Sequence, residues 1–298
     1  MGKTWKRHLE GYLFIGPWFI GFLVFMLIPA GWSLYLAFTD FSFLKPPVWT
    51  GTENVRKMLD SDVFWKSLRI TSVYALLSVP LHLGTALLAA MALNVKIRGI
   101  GFYRTVFYLP AFVSSSIGVA IMWKMIFSDS GVVNALLTGI GLDRVKFFNS
   151  PDNALYTLVG INAWVLGTAM LIFLAGLQQI PRELYESAKV DGAGAVRRFR
   201  SITLPLLTPV ILFNLILGII NAMQVFTNGF VITRGGPAQS TYFYVLYLYE
   251  EAFKFFRMGY ASLLAWVLFL IVLLLTLLTL RSSSAWVFYE TEMKGGKR

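Results

Sequence analysis

The 298-residue chain contains no cysteine, which removes disulfide staples, thiolate nucleophiles and cysteine-held metals from its chemistry. No run of the form Gly-x-x-x-x-Gly-Lys-Ser/Thr occurs. Gly192-Ala193-Gly194 lacks both the lysine and the preceding strand that a phosphate cradle needs, so the chain is not expected to hydrolyse ATP by itself. No carboxylate lies well inside any long apolar run, whereas a gradient-driven carrier would place charged groups there and show an internal repeat. Glu250 and Glu251 are adjacent, so they point apart on a helix, and neither histidine is near them in sequence. That argues against a membrane-bound transferase with a carboxylate or histidine cluster at one face. No metal-ligand spacing is found. No low-complexity linker or Ser/Gly tract divides the chain, which is read as one domain, 1–298.

What the chain has in abundance is apolar surface. With 57% hydrophobic residues it is too apolar for an ordinary soluble domain and reads as an all-α integral membrane protein. Six stretches are long enough to cross roughly 30 Å of hydrocarbon at about 1.5 Å per residue. They run over 12–38, 69–93, 102–127, 154–177, 204–226 and 260–280. The first follows Lys3, Lys6 and Arg7 as a signal peptide would, but it is too long and has no small-residue cleavage site, so it stays as a membrane helix. Six spans put both termini on one side. Of the 26 Lys plus Arg, 15 fall on the side of the termini and 11 on the other, which votes for cytoplasmic termini. The net charge of +11 then reflects topology and attraction to anionic lipid rather than nucleic-acid binding.

Outside the spans, residues 40–66 are expected to form a small outer cap, and Val132 to Leu137 a short helix at the outer surface. Tyr244 to Phe256, with Glu250, Glu251, Lys254 and Arg257 among aromatics, reads as an interfacial amphipathic helix.

The loop between the fourth and fifth spans, 181–203, is the most informative segment. Pro181 suits a helix start, and Glu183 and Glu186 follow where acidic groups complement the helix dipole. Leu184 and Ala188 share a face four residues apart. Asp191-Gly192 then offers a cap or turn before a second short helix through Ala193, Val196 and Phe199. Ser187, Ala188, Gly192, Ala193, Gly194 and Ala195 are all small, so two helices meeting at a glycine make an elbow slim enough to enter a groove on another protein. Arg197, Arg198 and Arg200 charge its trailing side.

Taken residue by residue, Glu186-Ser187-Ala188, Asp191-Gly192-Ala193, Phe199, Ile202 and Leu204-Pro205 resemble the EAA loop of ATP-binding-cassette importer permeases, with Ser187 in place of the family's first alanine. The opening GYLFIGPWFIGFLVFMLIPAGWSLYLAFTDFS, the turn FYRTVFYLP, the segment TRGGP and the closing FRMGYASLLAWVLFLIVLLLTLL are similar, in order, to the carbohydrate-uptake branch of that family, the larger-subunit maltose type. Relative to the maltose subunit the chain lacks the extra leading spans and the large outer domain. The resemblance implies a six-helix type I importer permease with a cytoplasmic coupling helix, in the cytoplasmic membrane of a prokaryote. It implies contacts to the ATPase from Glu186, Asp191, Ser187, Arg197 and Arg198, a turn at Gly192, and close approach at Ala188 and Ala193. The implied partners are two nucleotide-binding ATPase subunits that hold the ATP and Mg, an extracellular solute-binding protein and a second permease. A different second permease is implied, although a homodimer would carry the same loop. The implied cargo is a carbohydrate, an oligosaccharide being common in this branch, while glycerol-phosphate-type solutes are handled by similar chains.

Polar side chains within lipid-spanning helices face the bundle or a wet cavity, and sugars stack on aromatic faces. Phe112 and Ser115 on the third span, Asn162 and Trp164 on the fourth, and Asn221 and Gln224 at the end of the fifth are therefore the candidate substrate path. Each has a structural alternative. Ser115 could bond the preceding turn. Asn162 could tie two helices together for about 0.6 to 2 kcal/mol. Trp164 could anchor at an interface, and Asn221 with Gln224 could be helix glue. His82, beside Pro80, reads as a neutral hydrogen-bonding group rather than a proton relay.

Overall fold

The structure, a computed structural model, describes residues 2–95, 97–113 and 116–288. In chain order α1 (Gly2–Phe22), a π turn (Leu23–Leu27) and α2 (Ile28–Leu36) precede a hairpin of β1 (Thr39–Ser42) and β2 (Lys45–Trp49). Next come α3 (Glu53–Leu59), α4 (Asp62–Leu93), α5 (Ile100–Val113), α6 (Ile117–Ile126) and α7 (Val132–Gly139). After these come α8 (Pro151–Trp164), α9 (Gly167–Gln179), α10 (Arg182–Val190), α11 (Ala195–Arg198), α12 (Leu204–Met223), α13 (Tyr244–Tyr249) and α14 (Met258–Ser283). Four helical stretches are long and apolar enough to cross a membrane: Tyr12–Leu36, Asp62–Leu93, Ala195–Thr233 and Met258–Ser283. Two broken pairs, α5 with α6 and α8 with α9, bring the number to six when each counts as one span. The exposed residues of these helices are largely apolar, as on α14 with Leu270, Leu274, Leu277 and Leu278. Such surfaces suit hydrocarbon.

The packing groups into two units, 1–64 with 248–270 and 65–247 with 271–298. In the first unit, Pro29 sits near the start of α2 and cannot donate to the turn before it, and the widened π turn lies there. Tyr12, Phe14, Trp18 and Phe25 of the first span are exposed. The segment expected as an outer cap is an antiparallel hairpin followed by a helix, with Thr39 opposite Trp49 and Ser42 opposite Lys45. Pro46 and Pro47 withdraw two donors from β2, which a two-stranded hairpin tolerates because each strand has a free edge. The buried Asn54 amide fastens α3 to this hairpin by donating to Ala37 O at 3.0 Å and Thr39 O at 2.9 Å. Gly259 of α14 packs against the same backbone, where a Cβ would collide with Thr39 O and Leu36 O.

The segment 244–256, expected as an interfacial amphipathic helix, is helical over α13 and the five residues after it, with Phe253, Phe255 and Phe256 exposed. Its second half is a π turn, Glu250–Lys254, in which Glu251 and Ala252 are buried. The wider turn rotates Glu251 inward, where Arg257 Nη1 meets it at 3.2 Å and Arg257 N donates to Glu251 O at 2.8 Å. Burial pushes the Glu251 carboxyl above its ordinary range, and the Arg257 charge partly offsets that.

Among its described residues the second unit has two apolar clusters. One gathers Tyr74, Val79, Leu158, Ile232 and Phe243; the other Ala86, Ala90, Met170, Phe173 and Leu207. Small residues set the helix separations. A Cβ on Gly176 of α9 would lie 2.8 Å from Val210 of α12, and one on Gly218 of α12 would lie 3.0 Å from Val79 of α4. Close approach through glycine replaces the hydrophobic drive that lipid does not supply. Tyr244 N donates to Thr71 Oγ1 at 2.8 Å, and Tyr244 and Tyr247 of α13 are buried, so this part of the 244–256 segment packs against α4.

The short helix expected near Val132 is α7. The loop after it is organised by Asn134, 1% exposed. Its amide donates to Ser128 O at 3.1 Å and Val145 O at 3.0 Å and accepts from Val145 N at 2.8 Å. Asn134→Ala is expected to leave Val145 N unmatched and to cost about 1–3 kcal/mol, while Ser128 O and Val145 O keep bonds from Gly131 N and Phe147 N. A thermal unfolding curve in detergent that matches the unsubstituted chain would reject this role.

Candidate functional site

The elbow begins where Pro181, with φ −58° and ψ 135°, ends the extended link from α9 and caps α10. α10 closes with paired backbone bonds, Gly192 N to Lys189 O at 3.0 Å and Ala193 N to Ala188 O at 2.8 Å. This six-to-one, five-to-two pattern needs a left-handed residue, and Gly192 supplies it at φ +75°. Ala188 and Ala193 are the two residues joined by the six-to-one bond, where small side chains suit the tight fold-back of the chain. Gly194 then caps α11, and a π turn, Phe199–Thr203, feeds into α12. Tyr185 Oη and Thr203 Oγ1 are 2.8 Å apart, a hydrogen bond that ties α10 to the base of α12.

No residue of α10 or α11 is buried. Glu186, Ser187, Asp191, Gly192 and Arg197 are exposed, while Ala188, Ala193 and Arg198 are half-buried. The apolar Val190 is 89% exposed and Val196 66%, which makes the elbow tip an apolar surface ringed by charge. Ser187 Oγ donates to Leu184 O at 3.2 Å, so the serine at the family's alanine position is accommodated within its own helix.

The second region is the break between α8 and α9, which meet at 47°. Unwinding at Val165 and Leu166 leaves the last carbonyls of α8 without intrahelical donors. α4 supplies donors. His82 Nδ1 lies 3.2 Å from Asn162 O, and Thr85 Oγ1 lies 3.2 Å from Ala163 O. A carbonyl only accepts, so Nδ1 of His82 carries the proton in this bond. Asn162 is half-buried at this break and Trp164 is 60% exposed. Trp164 packs edge-on to Trp123 with ring centroids 6.3 Å apart, and Trp123 continues to Phe127 at 5.7 Å and on to Phe147 at 5.1 Å.

The remaining path candidates stand apart from this ladder. Phe112 is exposed and meets Tyr108 edge-on at 4.9 Å. Ser115 lies outside the described residues. Asn221 and Gln224 are exposed on the last turn of α12, three residues apart on one face, and have no hydrogen-bond partner among the described residues. Thus the structure joins Asn162 with Trp164, and Asn221 with Gln224. No hydrogen bond or ring contact among the described residues links the two pairs or brings in Phe112.

Sequence reasoning missed Thr85, Trp123, Phe127 and the Tyr185–Thr203 bond. Spacing offered a hint for two of these: Thr85 follows His82 by three residues, one turn along α4, and Trp123 precedes Phe127 by four. Removing the donor with His82→Leu is expected to lower stability by about 1 kcal/mol, because Asn162 O keeps a bond only from Val165 N. His82→Gln, which retains a donor, is expected to lose less. Equal melting temperatures for both variants and the unsubstituted chain would show that the contact contributes nothing.

Comparison with known proteins bears on both regions. Residues 82–284 match the family described as binding-protein-dependent transport system inner membrane component. The chain is 47% identical over 291 residues to the probable ABC transporter permease protein YesP of Bacillus subtilis, covering 96% of this chain and 94% of that one. It is 36% identical over 283 residues to the lactose transport system permease protein LacF of Rhizobium radiobacter, covering 92% and 94%. Among solved structures, a chain of a bacterial alginate ABC transporter, crystallised in complex with an alginate pentasaccharide-bound periplasmic protein, superposes with a TM-score of 0.80 at 26% identity. The superposition covers 94% of this chain and 96% of that one. The matched residues run from the histidine that caps the broken span through the elbow to the end of the last span, and the chain belongs to the family of binding-protein-dependent transport system inner membrane components, the permease subunits of ABC transporters.

Proposed function

We propose that this permease conducts a carbohydrate, delivered by an extracellular solute-binding protein, into the cytoplasm, and that its 181–203 elbow is the coupling helix gripped by an ATPase. The observation that carries the coupling reading is the elbow's surface. A hairpin closed by Gly192, with no buried residue and with Val190 and Val196 bare at its tip, is stable in shape yet unfinished as a surface. Exposed aliphatic residues ringed by Glu186, Asp191, Arg197 and Arg198 fit a groove on another protein better than water. The relatives named for lactose and alginate transport support a carbohydrate as cargo. The uncharged polar and aromatic residues Asn162, Trp164, Asn221 and Gln224 suit such a ligand.

As a permease subunit the chain is non-catalytic, so the work comes from outside it. ATP, with Mg, is bound and hydrolysed by two partner subunits, and the elbow converts their closure into movement of the spans. The Tyr185–Thr203 hydrogen bond fixes α10 to the start of α12, and α12 carries Asn221 and Gln224 at its far end. A displacement of the elbow therefore reaches the polar pair through one rigid helix rising about 1.5 Å per residue. The path is completed by a second permease that brings its own elbow, with both termini of this chain in the cytoplasm. The bare first span offers apolar surface to lipid and to that second subunit.

Gly192→Asp is expected to leave the chain in the membrane but to abolish ATPase co-purification and uptake, because the turn needs φ +75° and the docking surface tolerates no added bulk. Normal co-purification and transport would remove the elbow from the coupling role. Asn162→Ala and Gln224→Ala are expected to reduce uptake about tenfold with assembly intact, a loss of about 1.4 kcal/mol of transport-competent binding. Unchanged uptake by both would empty the proposed path.

A further inference from the structure

A cavity of about 640 Å³ opens where four helix ends converge: the end of α4, the start of α5, the end of α9 and the start of α10. Asn94, Arg104, Gln178, Arg182 and Tyr185 line it, and among the described residues none of the lining side chains is acidic. Arg104 donates from Nη2 to Leu93 O at 3.0 Å, while its Nε is buried without a partner among the described residues. A buried guanidinium N–H left unmatched is costly and is held in readiness for an acceptor. Arg182 is exposed and makes no ion pair among the described residues. The first turns of α5 and α10 both begin at this cavity, at Ile100 and Arg182, and their positive ends add to the two charges.

We infer that this cavity binds the phosphodiester headgroup of an anionic phospholipid. Guanidinium groups pair with phosphate through parallel N–H bonds, and the amides of Asn94 and Gln178 and the Tyr185 hydroxyl supply donors for the rest of a polar head. Basic pockets between membrane helices at a membrane face are suited to such heads. Inorganic phosphate shares the chemistry but fills little of the volume. It also has no use for the apolar part of the lining, where Val95, Ile100 and Ile180 can meet the start of the acyl chains. The site matters for coupling because Tyr185, which lines the cavity, is also the residue bonded to Thr203. An occupied cavity braces the root of the elbow against the base of α12. This role rests on reading 181–203 as the cytoplasmic coupling elbow, but lipid binding is read without ATPase or transport.

The test is native mass spectrometry of the full chain purified with its co-purifying subunits, after equilibration with phosphatidylglycerol or with phosphatidylcholine of the same acyl chains. Preferential retention of phosphatidylglycerol is expected, falling about fivefold for each arginine removed in Arg182→Gln and in the double variant with Arg104→Gln. Arg144→Gln, which removes an exposed charge elsewhere, is expected to change nothing. Arg104 also holds Leu93 O, so if the double variant loses its monodisperse elution, the exposed Arg182→Gln alone decides. Equal retention of the two lipids, retention unaffected by Arg182→Gln, or displacement of the lipid by millimolar inorganic phosphate would each overturn the assignment. Absence of any lipid preference in the unsubstituted complex with its ATPase still bound would sink this inference and leave the coupling reading standing, whereas normal ATPase binding in Gly192→Asp with lipid preference intact would do the reverse.

Discussion

In hydrocarbon a backbone carbonyl has no water to bond, so any interruption of a helix there must be matched by another group. The break at Val165 and Leu166 meets that constraint through α4. His82 and Thr85, one turn apart, face Asn162 O and Ala163 O at 3.2 Å each. Much else in this part of the chain follows from the arrangement. It fixes α8 beside α4, sets Asn162 at an unwound point rather than within a helix, and turns Trp164 outward onto Trp123. The mid-span histidine serves here as a hydrogen-bond donor through Nδ1, a role that the neutral imidazole fills without placing a charge in the apolar span.

The same accounting governs the elbow, outside the apolar spans. Helix ends leave carbonyls unmatched, and α10 satisfies its own through Gly192 and Ala193 without help from any other element. That self-sufficiency is what allows the hairpin to project with no residue of α10 or α11 buried. The side-chain hydrogen bond between Tyr185 and Thr203 lies at its root rather than its tip. The tip is therefore free to be enclosed by another surface while the root stays coupled to α12.

The six apolar stretches were legible because span length and hydropathy are set by lipid thickness, and the elbow because glycine and small residues at fixed positions leave few backbone solutions. What was not legible was anything decided between distant segments. The hairpin at 39–49 hides behind Pro46-Pro47, which reads as irregular chain, yet two-strand pairing leaves room for prolines on an edge. Glu250 and Glu251 read as members of an amphipathic helix, and that a π turn, which no residue pattern announces, carries Glu251 inward to Arg257 was not legible. His82 was readable as a hydrogen-bonding residue. That its partner is a carbonyl 80 residues away was not, since the break in α8–α9 contains neither glycine nor proline at Val165 and Leu166 to mark it.

The candidate path has a property that follows from these placements. Asn221 and Gln224 occupy the end of α12 with their polar groups exposed and unmatched, and Trp164 is likewise open on one side. Amides in that condition within a membrane are expensive unless water, ligand or another protein satisfies them. A carbohydrate needs donors and acceptors around much of its rim and an apolar face beneath it, and the residues of this chain supply one side of such a box. The incompleteness is consistent with a path shared between two permeases, in which each amide is left unbonded within its own chain so that it can bond the passing solute. Replacing Asn221 or Gln224 with leucine would relieve that cost, so the polar pair at the end of an otherwise apolar helix is what the proposed solute path accounts for.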